Sequence, residues 1–122
     1  MTVRIVRLGT ARHPDEGLRI GTVRRPPRGV KKQDYAKLGY YDAWLPELAP
    51  SAKLIKTALA DWGRFEKRYR QEMREREHLL DLLVCLSQSS NFAIGCYCED
   101  EKQCHRSVLR QLLVEHGARI AV

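Results

Sequence analysis

The stretch FAIGCYC, from Phe92 to Cys98, constrains the fold of this chain more than any other segment. It is apolar at nearly every position, whereas a strand with one face in water alternates apolar and polar residues. A strand of this kind lies in the middle of a sheet with both of its faces covered. The sequence therefore predicts a sheet that other layers pack against.

The other segments alternate between strand and helix patterns. Strands are predicted over Val3 to Leu8, over Leu18 to Val23, around Asp42 to Leu45 and in the closing ARIAV. Ser51 is the predicted N-cap of AKLIKTALADW, and a further helix carries Trp62, Phe65 and Tyr69 on one face, which we expect to be buried. The last helix is predicted from His105 to His116, with Gly117 ending it.

This order predicts an α/β fold. We expect a single open, mostly parallel sheet with helices on both faces, in a Rossmann-like three-layer arrangement, and one domain over residues 1–122. Ligands bind such sheets beyond the carboxyl ends of the strands, where the residues after Cys98 would lie.

The positive charge is concentrated in the first third of the chain. Residues 1–40 hold ten Lys and Arg against three acidic residues, and residues 41–122 hold twelve of each sign. The loop RRPPRGVKK, from Arg24 to Lys32, contains five of these basic residues together with two prolines and a glycine. Such a segment attracts phosphates of a small molecule or of nucleic acid, and a solvated surface that maintains solubility is the alternative.

Nothing in the sequence predicts a membrane protein. The longest apolar stretches, such as Leu82 to Leu86, are too short to cross a bilayer, and the N-terminus has no apolar signal-peptide core. We expect a cytoplasmic protein whose four cysteines are thiols, without a disulfide, a bound metal or a cofactor. The sequence leaves the oligomeric state open.

The segment CYCEDEKQCHRS allows three kinds of chemistry. Cys96, Cys98, Cys104 and His105 could bind zinc, although structural zinc sites usually take their cysteines from C-x-x-C turns. Cys104, beside His105 and Arg106 at the start of a helix, could be a reactive thiol and the one most readily alkylated. Seven residues separate Cys98 from Arg106, unlike the five between cysteine and arginine in rhodaneses and cysteine phosphatases.

The third possibility is an anion site at the start of the last helix. The free N–H groups of its first turn, the Arg106 guanidinium and the Ser107 hydroxyl could together bind a phosphate. Glu99, Asp100 and Glu101 precede them, and these carboxylates would either point to solvent or pair with the arginines.

Four segments together resemble one family: GLRIGTVRRPPRGVKK, YDAWLPELAPSAKL, WGRFEKRYRQEM and CYCEDEKQCHRSVL. From about Gly17 to Gly117 the chain is similar to the domain of unknown function 488 family, which implies a small α/β domain and leaves its activity open. The family's D-R-x-x-P-R-G loop matches Arg24, Arg28 and Gly29, with Val23 in place of the aspartate. Further matches are Ala49-Pro50-Ser51, Arg68-Tyr69-Arg70 and Cys104-His105-Arg106-Ser107, and some relatives keep only the histidine of the last group.

The functional hypothesis is that an anionic ligand, a nucleotide or another phosphate compound, binds between the basic loop and the start of the last helix. Arg24, Arg28, Lys31, Arg106 and Ser107 would bind it, and His105 and Cys104 are the candidate catalytic residues. The alternatives are a nucleic-acid-binding module without catalysis and a thiol or zinc protein centred on Cys98 and Cys104. The alternative to a catalytic role for His105 is a structural one, in which this histidine caps the first turn of the last helix.

Overall fold

Four parallel strands form the sheet, and the apolar strand lies inside it. The computed structural model describes residues 1–57 and 60–121. The strands are β1 (Val3–Arg7), β2 (Leu18–Gly21), β3 (Ala43–Trp44) and β4 (Phe92–Cys96), in the order β1-β4-β2-β3. Every residue of β4 is buried, because β1 and β2 flank it and both faces are covered. The predicted open parallel sheet is confirmed.

Within the described residues each predicted strand is shorter than expected, and the difference matters most for β4 and for the closing segment. Strand β4 ends at Cys96, so Tyr97 and Cys98 have left the sheet. The predicted closing strand is reduced to one parallel bridge between Val3 and Ile120, and its last residue lies outside the described part of the chain. The closing segment therefore lies beside β1 but adds no full strand.

Among the residues that the structure describes, four α-helices follow β3 or β4. They are α1 (Ala52–Ile55), α2 (Trp62–Arg74), α3 (Glu77–Ser87) and α4 (His105–Glu115). As predicted, Ser51 caps α1, since its side chain accepts a hydrogen bond from the Leu54 amide. Helix α1 is shorter than the predicted segment, of which residues 58–59 lie outside the described part. Gly117 follows α4 with a φ of 108°, which an L-amino acid with a side chain rarely adopts.

The helices share one hydrophobic core with one face of the sheet. Phe65 and Tyr69 of α2 are buried there with Phe92 and Ile94 of β4. Trp62 is half-buried and stacks on Phe65, so the predicted aromatic stripe of α2 faces the core. Because α4 contributes to the same core, the start of α4 is fixed next to the end of β4.

The other face of the sheet is covered by the two connections that leave β1 and β2. Their tyrosines, Tyr35, Tyr40 and Tyr41, form a second cluster with Leu8 and Val23. The expected layer is present, but it is built from loops and a 3-10 turn at Lys32–Asp34 instead of α-helices. Prolines and glycines in these connections prevent longer helices.

A buried ion pair fixes this loop layer to β2. Arg19 is completely buried, and its Nε lies 2.6 Å from Oε2 of Glu16. The Arg19 guanidinium also donates to the carbonyls of Thr10, Ala11 and Gly39, so one side chain joins both connections. The loop layer is therefore held by a charged, fully hydrogen-bonded group as well as by tyrosine packing.

Candidate functional site: a cysteine-lined cleft at the carboxyl edge of the sheet

The carboxyl ends of β2 and β4 meet the start of α4. The Thr22 amide, just after β2, donates to the carbonyl of Gly95 in β4, and the amide of Leu8 donates to Cys96. Helix α4 begins at His105, whose ring contacts Thr22. The sequence segments that were predicted to form a site therefore converge at one edge of the sheet, as expected for ligand sites in open α/β folds.

Three thiols lie close together at this edge. The sulfurs of Cys96 and Cys104 are 2.7 Å apart, and both residues are buried. Cys98 is exposed. The neighbouring Cys104 and Cys96 thiols, together with Arg106, hold the pKa of Cys98 far below its usual range. The contact with Cys104 raises the pKa of Cys96, as does burial.

Cys98 is the thiol that ionises first. The Cys96 thiol favours a thiolate on Cys104, but the contact with Cys98 and burial outweigh it and raise the pKa of Cys104. A charge on sulfur is less costly where water reaches it, so the exposed thiol carries the charge of the cluster. The sequence singled out Cys104 as the most reactive thiol, whereas the structure buries Cys104 and exposes Cys98.

His105 is buried and uncharged. Burial lowers its pKa to about 4, although the hydrogen bond to Thr22 favours the charged form. Its Nε2 lies 2.8 Å from the Thr22 carbonyl, which can only accept, so Nε2 carries the proton. Its Nδ1 is then an acceptor 3.6 Å from the Cys104 sulfur. The ring therefore connects the end of β2 with the thiol cluster and also packs edge-on against Tyr69.

Arg106 and Ser107 hold the protein backbone. The Arg106 guanidinium donates to the carbonyl of Val6 over 2.7 Å and to that of Cys98 over 2.6 Å, and the residue is 3% exposed. The Ser107 hydroxyl donates to the carbonyl of Cys104 over 2.9 Å. Neither side chain lines the cleft described below. Arg106 instead positions the exposed Cys98 by donating a hydrogen bond to the carbonyl of Cys98.

The basic loop lies next to the thiols. Its backbone is held by the Tyr97 hydroxyl, which donates to the carbonyl of Arg25 over 2.8 Å. Val23, the residue before the loop, accepts a hydrogen bond from the Trp44 indole. Arg24 and Arg25 line a cleft of about 790 Å³ together with the cysteines and His105. Arg28 faces a neighbouring pocket instead, and Lys31 lines neither. Two of the three predicted arginines, Arg24 and Arg106, are thus near His105, but only Arg24 faces the cleft.

This cleft, which we call the cysteine cleft, combines three parts of the chain. The residues that line it are Val23, Arg24, Arg25, Pro26, Ala49, Pro50, Ala52, Ile55, Lys56, Phe65, Cys96, Tyr97, Cys98, Gln103, Cys104 and His105. One side is basic, the thiols and the histidine form another part, and α1 with the residues before it adds apolar groups. A site of this volume and composition fits a small molecule with a negatively charged group.

The acidic run does not neutralise the basic loop. Glu101 pairs with Arg110 of α4 over 2.7 Å, and the Asp100 side chain accepts a hydrogen bond from the amide of Lys102. Within residues 1–57 and 60–121, neither Arg24 nor Arg25 forms a salt bridge. Within the described residues, the positive charges of Arg24 and Arg25 are therefore not neutralised by a carboxylate.

The donor atoms of Cys96, Cys104 and His105 lie within 4.8 Å of one another and could hold a soft metal ion. Two sulfurs bound to one tetrahedral zinc ion at 2.3 Å are about 3.8 Å apart. The sulfurs of Cys96 and Cys104 are 2.7 Å apart here, so they would have to separate to admit zinc. With His105 they form a candidate donor set for a soft metal ion.

Several residues in or beside the cleft were not singled out from the sequence. Thr22, which contacts His105, was one, and the signal that could have found it is a polar residue near the carboxyl end of a predicted strand. Arg25 was treated as part of a basic loop and Tyr97 as part of a strand. The lining residues Ile55 and Lys56 carry no local signal of a site, and Ala49 and Pro50 were noted only as a family match, because only the packing of α1 brings these residues to the cleft.

Comparison with known proteins gives a family match over almost the whole chain. Residues 3–117 match the DUF488-N3a family model, whose description is "Active DUF488-N3 subclade". The chain is also similar to YeaO of Escherichia coli (strain K12), which is described as uncharacterized. The two are 27% identical over 116 residues, which cover 93% of this chain and 97% of YeaO. No solved structure matches the chain.

None of the helices in the described residues is both long and apolar enough to cross a membrane.

Proposed function

The chain belongs to the DUF488 family, and we propose that this member binds a phosphate-bearing small molecule in the cysteine cleft. In this proposal Arg24 and Arg25 bind the phosphate, and Cys98 presents a thiolate to the ligand. The family match supports the fold, while the proposal about the ligand depends on the geometry of the site.

One observation carries the proposal: two unpaired arginines line the same cleft as the exposed thiol. Two guanidinium groups on adjacent residues repel each other, and within the described residues no carboxylate pairs with either of them. A bound phosphate would remove this repulsion and form charge-assisted hydrogen bonds with both. The proline-rich backbone of the loop limits the entropy that the arginines lose on binding.

The thiol cluster could also react with a bound ligand. A thiolate is the nucleophilic form of cysteine, and the neighbours of Cys98 favour this form by lowering its pKa. Its position is fixed by Arg106, which binds the Cys98 carbonyl. We assign His105 to orienting Cys104, because its Nδ1 faces that sulfur and its other nitrogen is bonded to Thr22.

The test is thermal unfolding of the purified protein with ribose 5-phosphate, a simple phosphomonoester. A ligand at a hundredfold excess over its Kd stabilises the folded state by about 2.7 kcal/mol. We expect wild type to be stabilised and the double variant Arg24→Ala, Arg25→Ala to lose most of the shift. The matched control is Arg68→Ala on α2, an exposed arginine outside the cleft, which should keep it.

Protection of Cys98 gives a second readout. Ribose 5-phosphate should slow alkylation of Cys98 by iodoacetamide and leave the exposed Cys85 on α3 unaffected. The proposal is wrong if wild type shows neither stabilisation nor protection, or if the double variant responds as wild type does. Stronger binding of an oligonucleotide, with a steep dependence on salt concentration, would favour a nucleic-acid-binding module instead.

A further inference from the structure

A second pocket adjoins the cysteine cleft on the same edge of the molecule. It has a volume of about 570 Å³ and is lined by Arg25, Pro26, Pro27, Arg28, Tyr40 and Tyr97. We call it the tyrosine pocket. Arg25, Pro26 and Tyr97 line both the pocket and the cleft, so one ligand can extend from one to the other without leaving the protein surface.

We propose that the tyrosine pocket binds a nucleobase, so that the ligand of this protein is a nucleoside phosphate. The phosphate would lie in the cysteine cleft, near Arg24, and the base would lie between the tyrosines and the loop. This inference rests on the phosphate binding proposed above and names the rest of the ligand.

The side chains that line the tyrosine pocket fit a flat, aromatic group of a ligand. The rings of Tyr40 and Tyr97 are 6.3 Å apart at an angle of 70°, and both tyrosines are half-buried. The two prolines add rigid apolar surface, and Pro27 is itself buried. Nucleobases stack on tyrosine rings and on the planar guanidinium groups of arginine.

The pocket is arranged before any ligand binds. The hydroxyl of Tyr97 donates to the carbonyl of Arg25, which fixes the ring against the loop. The amide of Tyr40 donates to the carbonyl of Tyr35, and the Tyr40 ring packs against Gly9, where an added Cβ would lie 3.1 Å from it. Little side-chain freedom is therefore lost when a base enters the pocket.

The charges distinguish a nucleobase from a simple phenyl ring. Arg25 and Arg28 are exposed and form no salt bridge among the residues that the structure describes. Their N–H groups can donate to the ring nitrogens and carbonyl oxygens of a base, and a phenyl ring offers no such acceptors. The pocket therefore combines stacking surfaces with hydrogen-bond donors, which is the chemistry that recognises an unpaired base.

The experiment compares the dissociation constants of AMP, ribose 5-phosphate and phenyl phosphate, measured by calorimetry. AMP and ribose 5-phosphate carry the same phosphate and sugar, so their difference reports the base. We expect AMP to bind wild type at least about fivefold more tightly than ribose 5-phosphate, which is the lower end of the contribution of one stacked base. We expect phenyl phosphate to bind more weakly than AMP.

Variants assign the difference to the pocket. Tyr40→Leu should bring AMP to the affinity of ribose 5-phosphate and leave ribose 5-phosphate unchanged, whereas Tyr40→Phe keeps the ring and should keep the preference. Arg28→Ala, at an exposed residue that lines the tyrosine pocket and not the cleft, should reduce the preference without affecting folding.

The possible failures are distinguishable. If ribose 5-phosphate binds and AMP binds no more tightly, or phenyl phosphate binds as tightly as AMP, the base site is wrong and the phosphate site stands. If Tyr40→Leu and Arg28→Ala both leave the preference for AMP intact, the base binds elsewhere and this inference is overturned. If none of the three compounds binds wild type, both proposals are wrong.

Discussion

The Nε2 atom of His105 lies 2.8 Å from the carbonyl oxygen of Thr22, which joins the first residue of α4 to the end of β2. The two residues are 83 positions apart in the sequence. Thr22 comes two residues before Arg24, so this bond places the basic loop beside the thiol cluster. The site therefore depends on one buried, uncharged imidazole that connects two segments.

His105 should make the stability of the protein depend on pH. Its pKa in the folded protein is about 4, below the value of about 6.5 in an unfolded chain, so the unfolded state binds a proton first as the pH falls. Above pH 7 His105 is neutral in both states, so it does not make the free energy of unfolding change with pH. Between pH 6.5 and pH 4 the free energy of unfolding should decrease, by about 2 kcal/mol at pH 5.

The variant His105→Gln tests this directly. Glutamine can still donate to the Thr22 carbonyl but does not titrate, so the variant should lose less stability than wild type between pH 7 and pH 5. Urea unfolding at the two pH values measures the difference, and His78→Gln, at an exposed position of α3, is the control. An equal loss in wild type and His105→Gln would show that His105 is not the titrating group.

Cys98 should react with iodoacetamide at low pH as well as at high pH. Because its neighbours lower its pKa, we expect Cys98 to react as a thiolate already at pH 5.5 and its rate to change little up to pH 8. A thiol of ordinary pKa, about 8.5, becomes on the order of a hundredfold faster over the same interval. Mass spectrometry of each cysteine, with the exposed Cys85 for comparison, measures the rates. Fastest labelling at Cys104 would contradict the structure.

Glu16→Gln should destabilise the loop layer strongly. The variant leaves the Arg19 charge buried without a counterion, and breaking a buried ion pair in this way typically costs about 3–5 kcal/mol. The matched control is Glu115→Gln, which removes an exposed pair with Arg70 and should cost less than about 1 kcal/mol. Urea unfolding gives both values, and similar costs for the two variants would rule out the role given to Arg19.

Arg106→Lys should loosen the site while keeping its charge. One ammonium group cannot bind the carbonyls of Val6 and Cys98 in the planar geometry that the guanidinium provides. We expect a loss of about 1–3 kcal/mol, the cost of an unpaired buried polar group, together with slower alkylation of Cys98 at pH 5.5. Arg110→Lys, whose partner Glu101 is partly exposed, should change neither quantity appreciably. Unchanged stability in Arg106→Lys would mean that the hydrogen bonds from Arg106 to the carbonyls of Val6 and Cys98 do not stabilise the fold.

The sequence alone determined most of the fold. The apolar run of β4 requires a central strand, the 3.6-residue spacing of Phe65 and Tyr69 requires a core-facing helix, and Ser51 marks a helix start. These features are local, since each depends on residues within one element. The order of the elements then leaves few topologies, and a parallel sheet with a candidate site at its carboxyl edge follows.

Only the tertiary structure decided what each residue of the site does. The sequence showed Cys98, Cys104 and Arg106 near one another, but the fold buries Cys104, exposes Cys98 and directs Arg106 to backbone carbonyls. It also placed Tyr40 and Tyr97 side by side from segments 57 residues apart. Burial, ionisation and hydrogen bonding depend on neighbours that are distant in the chain, and a local pattern carries no information about them.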